Sequence, residues 1–376
     1  MNRCCPGFAR LLLWTGALLV TPGEASARQV TGLDLVPVPV ALDTLGPTQG
    51  TIAVSTRGVL AFTPPAWEGE TTAMLRILDP GRGTRFLGVA TGKGPGEISV
   101  VLRWFFEGDS LLHAFDPTTL RISTYSATGE FRRSHQLTQV GLPVRIADDS
   151  VDLASGAGLP WSLVRLSLTT GGSRTLLDAS APGFDRLFPL EPGANAIGAR
   201  RQPAVLPPNR SSTETVLAND LTYAMMAFAP RGTEPREGGR AVRPRRRSPE
   251  ELERAIEDTR KQAARMGRGD DWVDQRVRTL RTEDLAFFHF THGLARDGAG
   301  RIWAVGIADG GEEVFADVFS PDLKFLTRHL IPFPAFGNGW DLNGNWLVLL
   351  CGRDPETARS TIRLFRLAEG KSERGR

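Results

Sequence analysis

A chain of 376 residues that is 41 % hydrophobic and carries a net charge of only +3 is neither a disordered polyelectrolyte nor a dedicated nucleic-acid coat. Its length permits a large core, while 41 glycines and 26 prolines call for many turns between short strands. Only four of the 45 basic residues are lysine, a bias that reads as base composition and not as a nucleic-acid surface.

Residues 1–27 carry the pattern of a secretory signal. Arg3 and Arg10 give a positive head, Leu11 to Val20 an apolar stretch too short to span a bilayer, and Ala25-Ser26-Ala27 a small-x-small cleavage site. The mature chain is expected to begin at Arg28 and to work in the periplasm or outside the cell, with no transmembrane segment. Cys4 and Cys5 leave with the signal. Cys351, in an apolar run, reads as a small buried hydrophobe and has no partner for a disulfide.

The remainder, 28–376, reads as a single domain of repeated units. Ile98–Trp104, Asp109–Phe115, Leu120–Tyr125 and Glu130–Leu137 form four short strands separated by Gly- and Pro-containing turns. Phe290–Arg296, Arg301–Ile307, Glu313–Phe319 and Lys324–Leu330 repeat the rhythm. Two markers recur with it. One is a large apolar residue entering a small or Pro-containing turn, as in Leu78-Asp79-Pro80, Tyr125-Ser126, Leu168-Thr169, Phe228-Ala229-Pro230, Phe319-Ser320-Pro321 and Phe365-Arg366. The other is a turn before the second strand, at Gly58, Gly108, Asp149, Gly193, Gly300 and Gly344. Six marker pairs predict an all-β, six-bladed β-propeller with four-stranded antiparallel blades. The last unit shows only three strands, Gly339–Asp341, Asn345–Cys351 and Thr361–Arg366, so Leu33 to Val40 is expected to supply the fourth and close the ring. Its prolines suit an edge strand.

Two stretches interrupt the repeat. Gln202–Asp220 reads as a loop within the fourth unit, and 233–288 as a basic, helical insertion between blades 4 and 5. Arg231 to Thr282 contains 15 basic and 10 acidic residues, including the tract Arg240–Arg247, which reads as a solvated linker. Ser248, Pro249 and Glu251 make a capping box for a helix over 248–266, a candidate docking element whose apolar face is Leu252, Ile256, Ala263 and Met266. A second helix is expected over Trp272 to Leu280.

Gly92-Lys93-Gly94-Pro95-Gly96-Glu97-Ile98, then Asp109-Ser110, Phe115-Asp116, Arg121-Ile122 and Gly129-Glu130-Phe131, resembles the bacterial six-bladed propellers of the NHL and TolB-like group. The resemblance covers Gly92–Leu137 well and Gly293–Leu330 fairly. It implies the fold and an extracytoplasmic setting, but little about activity, because that group mixes scaffolds, binders and enzymes.

No catalytic constellation stands out. His289 and His292, three apart on an expected strand, point to opposite faces. Gly92–Gly96 lacks the Lys-Ser/Thr end of a phosphate loop, and Ser180, Ser211 and Ser360 stand in no nucleophile elbow. A ligand would meet the mouth of the central channel, where Arg103, Arg145, Asp185, His292 and Trp340 are the candidate lining residues. The leading expectation is therefore an exported, non-enzymatic binding or protein-interaction propeller with no cofactor, whose partner is a protein or small molecule and not a nucleic acid. The first alternative is a calcium-dependent lactonase- or esterase-like hydrolase, with Glu97, Asp185, Asn338 and Asp341, and also Asn343, as oxygen ligands. The second is a TolB-like envelope scaffold.

Overall fold

The alternation of apolar side chains along each short strand gives every sheet two hydrophobic faces. A sheet of that kind is stable only between two others. The computed structural model describes residues 33–38, 52–62, 72–80, 83–90, 92–99, 101, 103–155, 161–188, 203–209, 212–219, 222–230, 234–240, 246–282, 293–307, 314–331, 335–353 and 360–369. These form six four-stranded antiparallel sheets. Blade 1 is β2 (Ile52–Val54), β3 (Leu60–Phe62), β4 (Thr72–Asp79) and β5 (Gly83–Ala90). Blade 2 is β6 (Arg103–Glu107), β7 (Leu111–Asp116), β8 (Arg121–Ser126) and β9 (Phe131–Gln136). Blade 3 is β10 (Leu142–Ala147), β11 (Ser150–Ala154), β12 (Ser162–Ser167) and β13 (Ser173–Asp178), followed by the helical turn α1 (Phe184–Leu187). Blade 4 is β14 (Ala204–Leu206), β15 (Thr215–Ala218), β16 (Ala224–Phe228) and β17 (Arg236–Gly239), followed by helices α2 (Pro249–Met266) and α3 (Asp270–Thr282). Blade 5 is β18 (Leu294–Arg296), β19 (Ile302–Ile307), β20 (Val314–Phe319) and β21 (Phe325–Ile331). Blade 6 is β22 (Ala335–Asn343), β23 (Trp346–Arg353), β24 (Ser360–Glu369) and, on its outer edge, β1 (Leu33–Val38).

The predicted closure is present: β1 pairs antiparallel with β24 from Leu33↔Glu369 to Val38↔Leu364. The first and last segments of the fold thus share one sheet. Pro37 is exposed on the outermost strand, where a missing N–H costs no ladder bond on the open side.

The core falls into six clusters, one for each pair of neighbouring blades. Period-two alternation decides which cluster a side chain joins. Ala53 packs toward blade 2 while Ile52 and Val54 pack toward blade 6. Trp104 and Phe106 face blade 1 while Phe105 faces blade 3.

A hydrogen bond also bridges every junction, toward the end of the ring that carries the turns between first and second and between third and fourth strands. Thr56 Oγ1 donates to Asp109 Oδ1 (2.7 Å), Asp148 N to Glu107 Oε1 (2.6 Å) and Arg165 Nη2 to the Pro208 carbonyl (3.2 Å). Arg236 Nη1 donates to Asp322 Oδ1 (3.0 Å), Gly298 N to the Gly344 carbonyl (3.0 Å) and Val54 N to Asp341 Oδ2 (2.9 Å). The turns themselves need left-handed backbone. At Gly58 φ is +83°, and a Cβ would lie 2.9 Å from the Trp346 ring, so only glycine fits between blades 6 and 1.

Several boundaries differ from expectation. Gln202–Asp220 is not a loop: it holds β14 and β15, the two inner strands of blade 4, joined through a turn bridged at Asn209 and Ser212. Strands of three and four residues amid Pro, Ser and Asn leave too little alternation to read. The expected turn at Gly193 lies outside the described residues, as do residues 1–27. The insertion set at 233–288 includes β17, so the chain leaves blade 4 only after Gly239. The first strand of blade 2 starts at Arg103, not Ile98, because 92–99 is spent on a connecting loop.

The helix over 248–266 is present, with both capping-box bonds. Glu251 N donates to Ser248 Oγ (3.3 Å), and Ser248 N donates to Glu251 Oε2 (2.7 Å). Its stripe packs on α3, with Thr259, Ala263 and Leu280 buried, whereas Met266 is 51 % exposed. The basic tract is pinned at both ends. Arg240 N donates to the Tyr223 carbonyl, and Arg247 Nη1 donates to the Leu280 carbonyl at the end of α3. Among the described residues no helix is long and apolar enough to cross a membrane.

Candidate functional site

The innermost strands β2, β6, β10, β14, β18 and β22 surround the ring axis. Their connections divide unequally between its two ends. Turns between first and second strands, and between third and fourth, form the end sealed by the bridges above. The long links between blades, including α1, α2 and α3, leave from the other end. Long connections are where a rigid scaffold carries its recognition elements.

Two charged residues on inner strands of different blades influence each other electrostatically. Arg103 opens β6, and Asp341 lies near the end of β22; β2 packs between these strands. Both side chains are half-buried. Asp341 Oδ2 accepts the Val54 N–H at 2.9 Å, and the Arg103 guanidinium lies 4.6 Å from the centre of the Phe105 ring. Burial pulls the Arg103 pKa down to about 10, against the opposing pull of Asp341. Burial likewise raises the Asp341 carboxyl, and the positive charge of Arg103 only partly offsets it. Loss of water outweighs mutual attraction for both members.

The other expected lining residues have different fates. Arg145 stands on β10 but is engaged by Asp148 (3.3 Å) and Asp152 (3.6 Å), and Arg165 holds the same Asp152 through Nε and Nη2. This is a cross-strand ion cluster inside blade 3. Asp185 is exposed on α1, beside Arg186, which pairs with Glu234 and Glu237 on the outer side of blade 4. Trp340 packs on the cluster between blades 5 and 6. His292 and His289 lie outside the described residues.

Three of the proposed oxygen ligands for calcium, Glu97, Asp185 and Asp341, form no carboxylate group of three among the described residues. Glu97 belongs to its own loop, where Oε2 accepts the Gly94 N–H at 2.6 Å. The loop is further tied by Arg121 Nη1 to the Gly94 carbonyl (2.6 Å) and by Ser99 N to Asp116 Oδ2 (2.9 Å). Gly96, at φ +78°, lies flat against the Phe131 ring. The Gly-Lys-Gly-Pro-Gly-Glu stretch is thus a folded link between blades 1 and 2. Asp341 accepts the Val54 N–H, Asn343 ends β22, and the side chain of Asn338 lies outside the described ones, as does that of Cys351. Among the described residues no three His, Cys, Asp or Glu side chains are placed to hold a metal. Replacing Glu97 by alanine is expected to cost about 1–3 kcal/mol in denaturant unfolding by leaving the Gly94 N–H unpaired, with no calcium-dependent shift in Tm before or after the change.

The sequence did not point to the electrostatic influence of Arg103 and Asp341 on each other, because the two are far apart in the chain and Asp341 resembled a turn residue or metal ligand. It also missed a buried relay in blade 2, where His113 lies between Thr124 Oγ1 (3.0 Å) and Glu107 Oε2 (3.1 Å). Alternation alone could have placed His113 and Thr124 on one face of adjacent strands.

No family model matches the chain, and no curated protein matches it. Solved structures do. A member of the DUF4221 family from Bacteroides vulgatus shares 12 % identity and a TM-score of 0.56, over 90 % of this chain and 99 % of that one. A Bacteroides fragilis protein gives 10 % identity and a TM-score of 0.48, over 92 % and 98 %. A streptogramin B lyase gives 12 % and 0.43, over 89 % and 98 %. At such identities the likeness is one of fold.

Proposed function

We propose that this chain is an exported, non-catalytic β-propeller that binds a small polar ligand in its central channel, anchored by Arg103 and Asp341. The observation that carries the reading is this pair of half-buried, opposite charges on inner strands of different blades. Concave walls built from several chain segments, with few polar groups converging, are the usual form of a ligand site. Each anchor is also held by protein, Asp341 by the Val54 N–H and Arg103 over Phe105, so little ordering is left for the ligand to impose. The amino-terminal pattern of Arg3, Arg10, Leu11–Val20 and Ala25–Ala27 supports export.

A thermal-shift screen of polar metabolites against the mature protein tests the binding reading. Ligands that raise the Tm of the native chain are expected to lose that effect in Arg103→Met and in Asp341→Asn. Ligands that stabilise all three proteins equally would move the site elsewhere. For export, the mass of the protein recovered from the cell envelope should correspond to a chain starting at Arg28; retention of residues 1–27 would overturn that part.

A further inference from the structure

We infer that the helical hairpin α2–α3 is a contact surface for a second copy of this chain, two hairpins packing antiparallel as a four-helix bundle. The surface lies outside the channel, so the inference stands or falls independently of the reading above.

The seam of the hairpin is a coiled-coil pattern left half-covered. Leu252, Ile256, Thr259, Ala263 and Met266 alternate spacings of four and three residues along α2, and Val273, Val277 and Leu280 do so along α3. Of these only Thr259, Ala263 and Leu280 are buried; Met266 is 51 % exposed and the rest are half-buried. Among the described elements, α2 and α3 pack on each other and make no comparable contact with a strand. Helices of 18 and 13 residues are marginal in water alone and take most of their stability from a covered apolar face. A second hairpin supplies that cover, as in bundles built from antiparallel helices.

The charges beside the seam decide the occupant. From Pro249 to Thr282 there are eight acidic and eight basic residues, so two copies meet without net repulsion and an anionic surface is not attracted. On α3, Asp270, Asp271 and Asp274 precede Arg276, Arg278 and Arg281. On α2, four of the five acidic residues fall in the first half and three of the four basic ones in the second. The helix dipole favours this order only in the terminal turns, whereas Glu253, Arg260 and Asp274 lie further in. Glu253 follows Leu252 and Arg260 follows Thr259; Asp274 follows Val273 and Arg281 follows Leu280. These are the positions flanking a coiled-coil seam that set partner and orientation. All four are exposed, and among the described residues their side chains enter no ion pair or hydrogen bond. Laid antiparallel, each acidic half runs beside a basic half of the other copy; laid parallel, like charges meet. A pattern complementary to itself fits a two-fold contact in which both copies use the same patch.

The contact is small. α2 is about 27 Å long, and two packed helices are about 20 Å wide. The face therefore buries roughly 1,000 Å² in total, at the lower limit of a specific interface. The chain is accordingly a monomer at the low micromolar concentrations of a sizing column and dimerises with a Kd of roughly 10–100 μM.

Sedimentation equilibrium of the mature chain over roughly 1–300 μM tests this. It should show a monomer–dimer equilibrium that weakens several-fold between roughly 0.05 and 0.5 M salt. Glu253→Arg with Asp274→Arg, and separately Arg260→Glu with Arg281→Glu, should each weaken self-association roughly tenfold or more. An equimolar mixture of the two variants should associate at least as tightly as the native chain, because oppositely charged flanks then meet. Should either variant lose helical signal by circular dichroism, Glu253→Gln with Arg260→Gln, which removes charge without reversing it, should weaken the dimer while that signal is kept. A chain that stays monomeric at the highest concentration overturns the inference and leaves the face to a different protein. A dimer unmoved by the reversals or by the glutamine pair overturns it as well, as does a mixture of folded variants that fails to associate.

Discussion

Replacing Asp317 by alanine is expected to lower the free energy of unfolding by about 3–5 kcal/mol, the range for removing one partner of a buried charge pair. Asp317 on β20 has no exposed surface. Its carboxylate accepts from Arg328 Nε (2.5 Å) and Nη2 (2.7 Å) on the neighbouring strand, and from the Tyr223 hydroxyl (2.6 Å) of blade 4. Arg240, where the chain leaves blade 4 for the helices, lies 3.9 Å away. Alanine would leave a guanidinium and a phenol facing each other without an acceptor across a blade junction. A denaturant titration reading a loss below about 1 kcal/mol would show that water or another group replaces the carboxylate. The same network makes an alkaline prediction. Burial and then the negative charge of Asp317 push the Tyr223 pKa well above 10. The native state therefore favours the neutral phenol. Its contribution is intact below the unfolded pKa of about 10 and is lost as pH rises above it. Tyr223→Phe should be less stable at neutral pH and should lack this alkaline loss.

The ring was legible because its cause is local. Alternation in Leu111–Phe115 and Ile302–Val305, and turn residues at Gly108, Gly300 and Gly344, recur at blade spacing. Closure then follows from the hydrophobic effect acting on sheets with two apolar faces. Blade 4 was misjudged where that local signal fails. Ala204–Leu206 and Thr215–Ala218 are strands because blades 3 and 5 press on them from both sides; Val205 and Leu217 belong to one inter-blade cluster, Leu206 and Val216 to the other. Tertiary context decides such short segments, and no propensity scale registers it. The candidate site was half visible for a related reason. Arg103 could be placed at the head of an inner strand, but its relation to Asp341 depends on the ring bringing blades 2 and 6 to either side of blade 1. Glu97 was drawn to metal chemistry by residue type alone, whereas its carboxylate satisfies a backbone donor three residues away.

Removing the amino-terminal strand should be more damaging than any single substitution away from the buried networks. In a ring, each blade is stabilised by both neighbours, and blade 6 is the only one assembled from two distant parts of the chain. β1 supplies six residues paired with β24; Leu35 packs on the core between blades 5 and 6, and Val38 on that between 6 and 1. Half-burying two such side chains is worth roughly 1.5–3 kcal/mol, before the ladder is counted. Truncation also turns β24 into an open edge ten residues long, which invites pairing with another copy. A chain beginning at residue 41 is therefore expected to show a markedly lower Tm and to elute as oligomers in size-exclusion chromatography. A synthetic peptide spanning 28–40 should restore the monomer and part of the Tm, since the missing strand binds an existing edge. If the truncated chain stayed monomeric with an unchanged Tm, the ring would be held by its six inter-blade clusters alone, and β1 would be a passenger on blade 6.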